Sequence, residues 1–258
     1  MTGILFHEIV FGPVKSRRFG ISLGINLLPV DSKLCSYDCI YCECGLTRHG
    51  KGHKPALFFK EQIMNALEQR LQQLKGGSME PDSITFAGNG EPTLHPEFLP
   101  IMQGVVALRN KYFPLAKITV LSNATMLHHG TVREGLSLAD NNVLKLDAGT
   151  DAVFQSINRP LSPLSINEIV SRLIGFNGNL IVQTLFIRGT INGKQVDNTT
   201  STEVEAWLGH LRRIRPRLVM IYPIDRATPF ATLEKISTTE LNLIARQVKE
   251  AGIEAEVY

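Results

Sequence analysis

The sequence predicts an α/β chain folded as a partial (β/α)6 barrel, a single domain over residues 1–258. Three observations carry that expectation. Short apolar stretches alternate with stretches of helical period, the pattern of parallel strands covered by helices. Six strand–helix units can be counted, two fewer than a closed eight-stranded barrel needs. No low-complexity segment or linker divides the chain. A doubly wound open sheet fits the same alternation almost as well.

The elements follow in order. Residues 20–30, GISLGINLLPV, read as a buried strand. Residues 60–74 place Ile63, Leu67, Leu71 and Leu74 on one helical face. DSITFAG (82–88) is a short apolar strand, 96–112 a helix, AKITVLSN (116–123) the next strand, 131–139 a short helix and NVLKLDA (142–148) a strand. In the second half, Ser165 with Glu168, Thr200 with Glu203 and Ser237 with Glu240 each fit the S/T-x-x-E capping box that opens a helix. Strands at 180–187 and 217–224 alternate with those helices. Gly252 ends the last helix, and IEAEVY closes the chain as a final strand.

Composition is that of a soluble globular chain, with 43% hydrophobic and 20% charged residues. The start lacks the apolar stretch of a signal peptide, and no later run is long enough to span a bilayer. The expected location is therefore the cytoplasm, with no membrane partner. A net charge of +3 is too small to imply nucleic-acid binding by itself. The first sixty residues are net basic, however, and Arg212, Arg213, Arg215 and Arg217 fall within six positions. Cations near a helix C-terminus are the ordinary reading of that group. Arg17 and Arg18, just before the first core strand, are a pair suited to phosphate.

All four cysteines lie in one loop, residues 33–45: KLCSYDCIYCECG, with Cys35, Cys39 and Cys42 spaced C-x3-C-x2-C and Cys44 two residues on. In a reducing compartment such clusters bind metal or do redox chemistry. Spacing leaves three readings open. Structural zinc usually draws its ligands as separated pairs, and none lies elsewhere. A Cys39-Ile-Tyr-Cys42 redox pair leaves Cys35 and Cys44 without a role. Three thiolates on a [4Fe–4S] cube would leave one iron without a protein ligand, with Cys44 a bystander. The context favours the third. The loop follows the first core strand, where an active-site loop of a barrel belongs. The second strand ends in FAGNGEPTLHP, with glycines that admit a ligand close to the backbone and Glu91 that offers a carboxylate to N–H donors. His95 in that stretch reads as a local structural contact, and His128-His129 as a surface loop.

With these residues in hand the chain resembles the radical S-adenosylmethionine (SAM) superfamily. The resemblance is carried by C-x3-C-x2-C with Tyr41 before the last cysteine, and by Asn89-Gly90-Glu91-Pro92. GPVKSRRFGISLGIN, GNGEPTLHP, KLDAG and INRP further resemble a group placed with the wyosine-base synthases that modify tRNA. These motifs cover residues 12 to about 160. The resemblance implies a [4Fe–4S] cluster on Cys35, Cys39 and Cys42 and SAM chelated to its open iron. It implies SAM contacts from three motifs, 86–95, 120–124 and 143–149. Tyr41 falls near adenine, Asn89, Gly90 and Glu91 near the SAM amine, and Ser122, Asn123, Lys145 and Asp147 near its carboxylate and ribose. Gln183 is a weaker member of that set. Lys145 and Asp147 also read as a plain strand-end salt bridge.

The implied chemistry is reductive cleavage of SAM to a 5′-deoxyadenosyl radical that takes hydrogen from a substrate. The implied electron donor is of flavodoxin or ferredoxin type. Four cysteines cannot hold a second cluster with three cysteines of its own, and wyosine-base synthases use one, so the radical SAM core is carried over without that reaction. The six units use nearly all the chain, so an uncovered mouth and a macromolecular substrate, RNA ahead of protein, are expected. The rivals are a glycyl-radical-enzyme activase and a non-catalytic iron–sulfur or zinc protein. The Asn-Gly-Glu motif speaks against the latter, because an electron carrier needs no SAM amine site.

Overall fold

The computed structural model describes residues 3–47 and 56–258. Its first strands, β1 (Val10–Ser16) and β2 (Gly20–Ile25), form an antiparallel hairpin. There follow α1 (Lys60–Leu74), β3 (Ser83–Phe86), α2 (Phe98–Tyr112), β4 (Lys117–Ser122), α3 (Gly130–Ser137) and β5 (Asn141–Lys145). Then come α4 (Asp151–Ile157), α5 (Ile166–Ile174), β6 (Ile181–Leu185), β7 (Ile187–Ile191), β8 (Lys194–Asp197) and α6 (Ser201–Ile214). The chain ends with β9 (Leu218–Tyr222), β10 (Leu233–Lys235), α7 (Thr238–Glu250) and β11 (Ala255–Val257). The main sheet runs β1-β2-β3-β4-β5-β6-β9-β11, parallel from β2 to β11.

Residues facing the helices build the main core. Ile84 and Phe86 of β3 pack with Phe98 of α2, and α1 buries Ile63, Leu67 and Leu71. The other face carries small hydroxyls that bond across strands, Ser22 to Thr85 at 2.8 Å and Ser83 to Thr119 at 2.9 Å. Val143, Ile181 and Met220 form a second, smaller core, packed by Phe19 from the β1–β2 turn.

That turn shows how strongly the sheet curls. β2 and β9 lie five steps apart in sheet order, about 24 Å in a flat sheet. Yet Arg18 sits 5.1 Å from the Tyr222 ring on β9 and donates to Gln183 Oε1 on β6 at 3.4 Å. Arg17 pairs with Asp225 at 2.9 Å. Side chains from the turn thus span the concave face and plug it at the level of β2's start. The alternating strands and helices read from the pattern are present, and the curl is that of a partial barrel.

Five elements were not expected: β1, α4, β7, β8 and β10. β1 is an edge strand whose register breaks between Phe11 and Val14, around Gly12-Pro13, where a proline is tolerated. α4 has seven residues, too few to show a helical period. The stretch expected as one strand over 180–187 ends at Leu185, and β7 turns into β8 through Asn192 (φ 49) and Gly193 (φ 77), a turn that needs two left-handed residues. With β10 these strands form a small sheet, β10-β7-β8, built from segments that leave the C-terminal ends of β6 and β9. The mouth is therefore flanked by added structure, which corrects the expectation that the six units leave nothing to cover it.

Of the three capping boxes, only Ser165–Glu168 is reciprocal. Thr200 caps α6, but Glu203 instead accepts from Gly149 N at 2.9 Å and Thr150 N at 3.2 Å, bracing the start of α4. Ser237 caps α7 while Glu240 pairs with Arg188. Tertiary partners claimed both carboxylates. Among the described residues no helix is long and apolar enough to cross a membrane.

Candidate active site

The cysteine loop leaves the C-terminal end of β2 and is clamped between two later segments. On one side Leu34 bridges Gly90: Leu34 N donates to Asn89 O at 2.9 Å and Glu91 N to Leu34 O at 3.0 Å. Gly90 (φ 138) is required, because a Cβ there would lie 1.8 Å from Leu34 O. On the other side Tyr37 bridges Pro160, Asp38 N donates to Asn158 O at 3.1 Å, and Ile40 N to Ile157 O at 3.0 Å. The GNGEP and INRP motifs are thus the two jaws that shape the loop.

The first jaw is locked by side chains. Asn89 is wholly buried; its Nδ2 donates to Phe6 O at 2.8 Å and Pro29 O at 2.7 Å, and its Oδ1 accepts from Phe6 N at 2.8 Å. Glu91 is 2% exposed. Its Oε1 accepts from Thr93 N (3.1 Å), Thr93 Oγ1 (2.5 Å) and Ser122 Oγ (2.8 Å), and its Oε2 from Asn123 N at 2.6 Å. The N–H donors expected for this carboxylate are the protein's own. Burial, only partly offset by these bonds, holds its pKa above the ordinary 4.5. Held in this way, Asn123 donates from Nδ2 to Cys35 Sγ at 3.5 Å and to Ser36 Oγ at 2.9 Å.

The second jaw carries charge. Asp147 Oδ2 accepts from Tyr41 OH, from Asn158 Nδ2 at 2.7 Å and faces Lys145 Nζ at 3.3 Å; Oδ1 accepts from Leu185 N at 3.0 Å. Lys145 also donates to Tyr41 OH at 2.7 Å. Burial disfavours its ammonium, but Asp147, Tyr222 and Cys39 together outweigh that and raise its pKa well above the usual value. The strand-end salt bridge and the cluster of candidate ligand contacts are therefore the same residues. Asn158 also reaches Cys39 Sγ at 3.6 Å, so each jaw offers one amide to one cysteine. Gln183, opposite Lys145 in the register of β5 and β6, is held by Arg18.

All four thiols are free. Burial raises Cys35 to about 12 and Cys39 to about 11. Cys42 falls to about 6, chiefly because Cys44 hydrogen-bonds to it, and Cys44 is raised in return. Cys44 also points its Sγ at Gly88 O, 3.5 Å away. Among the described residues, no three His, Cys, Asp or Glu side chains converge on a point that one metal ion would fill. Three thiolates on one loop are a soft donor set, of the kind that an iron–sulfur cluster takes.

Sequence reasoning missed Lys33, and named Asn158 only as a letter of a motif. The Lys33 side chain is 2% exposed and bonds Gly45 O at 3.0 Å and Asp38 at 3.5 Å. Burial opposes its charge, but Cys42, Cys35, Cys39 and Asp38 hold its pKa above normal. A buried lysine within the cysteine loop was the available signal. His95 is a structural contact as expected, with Nε2 at 2.9 Å from Phe58 O and Nδ1 accepting from Glu97 N. Arg212, Arg213, Arg215 and Arg217 are exposed at the opposite, N-terminal ends of the strands, where Arg217 donates to Asp140 O and Asn141 Oδ1.

No protein-family model matches the chain. A UPF0026 protein of Helicobacter pylori is 32% identical over 237 residues, covering 90% of this chain and 71% of the relative. The chain belongs to the UPF0026 family. A second UPF0026 protein, from Synechocystis, is 36% identical over 85% of this chain and 77% of its own.

Solved structures extend the comparison of this UPF0026 chain to its fold. A radical SAM methyltransferase from Sphaerobacter thermophilus superposes with a TM-score of 0.62 at 16% identity, over 92% of this chain and 65% of that one. Streptococcus suis SuiB, solved with its precursor peptide SuiA, gives 0.63 at 12% identity over 91% and 48%. The enzyme anSMEcpe with bound AdoMet gives 0.58 at 14% identity over 92% and 64%. The UPF0026 chain thus has the radical SAM fold and spans about two thirds or less of these longer chains.

Proposed function

We propose that the chain is a radical SAM enzyme, and the observation that carries the reading is the clamped loop. Three free thiols, Cys35, Cys39 and Cys42, stand at the C-terminal end of the first parallel strand, with an amide from each jaw aimed at one of them. They would hold a [4Fe–4S] cluster, and Cys44 is not a ligand. When bound, the cluster and SAM together supply one-electron cleavage of SAM to a 5′-deoxyadenosyl radical for hydrogen abstraction.

The chain's own residues do the rest. Lys33 offsets negative charge on the thiolates, and the Asn123 and Asn158 amides donate to the sulfurs of Cys35 and Cys39. Glu91 is a positioning residue that fixes Asn123. Tyr41 and Gln183 line the SAM side, and Lys145, with Asp147 and Tyr41 holding two of its three N–H groups, offers the third to the SAM carboxylate. Ser122 and Gly90 shape the floor of that site. The Arg18–Phe19 plug excludes water from the opposite end. An electron donor of flavodoxin or ferredoxin type supplies the electron.

RNA is the substrate class we favour. The segment that continues the cysteine loop in sequence, residues 48–54, contains Arg48, Lys51 and Lys54 and no carboxylate. The likeness of the motifs to the wyosine-base-synthase group supports the same class. The Arg212–Arg217 group plays no part, given its place at the far end.

The test is anaerobic reconstitution with iron and sulfide. A brown protein that yields methionine and 5′-deoxyadenosine with dithionite and SAM is expected. A colourless protein that retains only zinc would sink the proposal.

A further inference from the structure

A cavity of about 430 Å³ lies beside the mouth, between one face of α4 and the β7–β8 hairpin. Its lining is largely apolar, from Ala152, Ile191 and Val196, with Arg159, Lys194 and Asn192 at its polar edge; Gln155 and Ser156 also line it but donate to Leu164 O and Val153 O. It contains two cations and no carboxylate. Among the described residues neither Arg159 nor Lys194 makes an ion pair. Surface cations elsewhere on this chain commonly do, as Arg17, Lys111 and Arg226 show.

Arg159 is placed there at some cost. It is in the left-handed region, φ 47, where a side chain other than glycine's is disfavoured by roughly 1 kcal/mol. Its neighbours explain the conformation. Asn158 turns inward to Cys39 and Asp147, and Pro160 pairs with Tyr37 of the cysteine loop. The left-handed residue between them sends its side chain away from the loop into the cavity. Its guanidinium lies 5.2 Å from the Phe230 ring, and among the described residues the side chain makes no hydrogen bond. The cavity thus begins one residue from the site's second jaw.

A planar fork and an ammonium at the edge of an apolar floor suit an anion with several acceptor oxygens carried on a group with a flat apolar face, as a nucleotide is. The volume exceeds what a bare phosphate fills and falls within the range of small-ligand sites. We infer that this cavity takes a phosphate of the RNA substrate, with Arg159 and Lys194 as its cations and room beside them for part of the same nucleotide. The inference rests on the RNA reading proposed above and adds where the backbone is gripped.

The experiment is equilibrium binding of bulk tRNA by iron-reconstituted protein across a range of salt. Wild type should bind, with log affinity falling linearly in log salt. The double variant Arg159→Gln/Lys194→Gln should bind at least tenfold more weakly at low salt, with a slope shallower by roughly 0.7, the share of one phosphate contact on single-stranded RNA. Lys194→Glu, on an exposed hairpin, should weaken binding in the same direction and keeps the test open if the Arg159 change disturbs its backbone. Arg213→Ala/Arg215→Ala, at the far end, should bind as wild type does. Unchanged affinity and slope in both cavity variants would overturn the inference, as would a glutamate-rich peptide that competes as well as tRNA. If wild type cleaves SAM but its tRNA binding ignores these two residues, this inference alone fails. If tRNA binding depends on them but SAM is never cleaved, the reaction proposed above fails and this one stands.

Discussion

Glu91 and Asp147 are both buried carboxylates in the jaws that hold the cysteine loop, and the chain balances them by different means. Glu91 is met only by neutral donors: two backbone N–H groups and two hydroxyls. Asp147 is met by a cation, Lys145, as well as by Tyr41 and Asn158. A carboxylate held by dipoles fixes backbone, and here it joins the ends of β3 and β4. A carboxylate held by a buried lysine keeps a charge pair close to where a charged ligand would sit, and the lysine keeps a donor to spare. The difference separates a brace from a contact surface, although a motif shows both simply as acidic residues at strand ends.

Breaking the loop between the jaws should have the largest effect. Single Ala changes at Cys35, Cys39 or Cys42 are expected to abolish SAM cleavage, and Cys44→Ala to keep the cluster and most activity. Iron content and 5′-deoxyadenosine yield read both; cluster loss in Cys44→Ala would make it a ligand.

The next effect separates the jaws. Asp147→Asn strands a buried Lys145 and should destabilise the protein by about 3–5 kcal/mol in urea unfolding. Lys145→Met in the same chain should recover part of that stability, since no buried charge then remains unpaired, without recovering SAM binding. Failure of the second change to restore any stability would mean that Asp147 acts through Tyr41 and Asn158 rather than through the charge pair.

A smaller loss is expected from Glu91→Gln. The amide puts a donor against Asn123 N or the Thr93 donors, costing about 2–3 kcal/mol, with no lysine available to rescue it. A variant with wild-type stability but weakened SAM affinity would reverse the assignment and make Glu91 a direct ligand contact.

The finest distinction lies in pH. Because the folded pKa of Glu91 is raised, the native state binds its proton more tightly than the unfolded chain does. That contribution is fully present below the ordinary 4.5 and is lost as pH rises through the raised folded value. Wild type should therefore lose stability relative to Glu91→Gln over that interval, measured by urea midpoints. A difference that grows with pH would show that the hydrogen bonds, rather than burial, dominate at this carboxylate.

Much of this was legible in the sequence for local reasons. Helix α1 lies at Lys60–Leu74 as its period specified, because its apolar face is uninterrupted. The strands at 82–88 and 116–123 contain β3 and β4, trimmed by a residue or more where their ends turn into loops, and the one at 142–148 overlaps β5, which starts a residue earlier and ends at Lys145. The β7–β8 hairpin escaped notice although Asn192-Gly193 is a turn signal, since the apolar run before it continues past Leu185. Glu203 and Glu240 fit a local capping rule but serve distant partners. In the site, the cysteine spacing was plain because it is local. Its supports were hidden because Asn158 meets Cys39 across 119 positions and Arg18 meets Gln183 across 165. No periodicity encodes such pairs.

The two jaws also impose a timetable on the chain as it is made. Cys42 leaves the ribosome roughly 120 residues before Pro160, which completes the second jaw. At about 5–20 residues per second, that is an interval of roughly 6 to 24 s. During it the thiols have been synthesised but the segment that closes the second side of their loop has not. A nascent loop of that kind lacks the Asn158 donor to Cys39 and the backbone bonds from Asp38 and Ile40 that fix the finished one. If the loop holds the proposed cluster, assembly of that cluster is best matched to the point at which both jaws are complete.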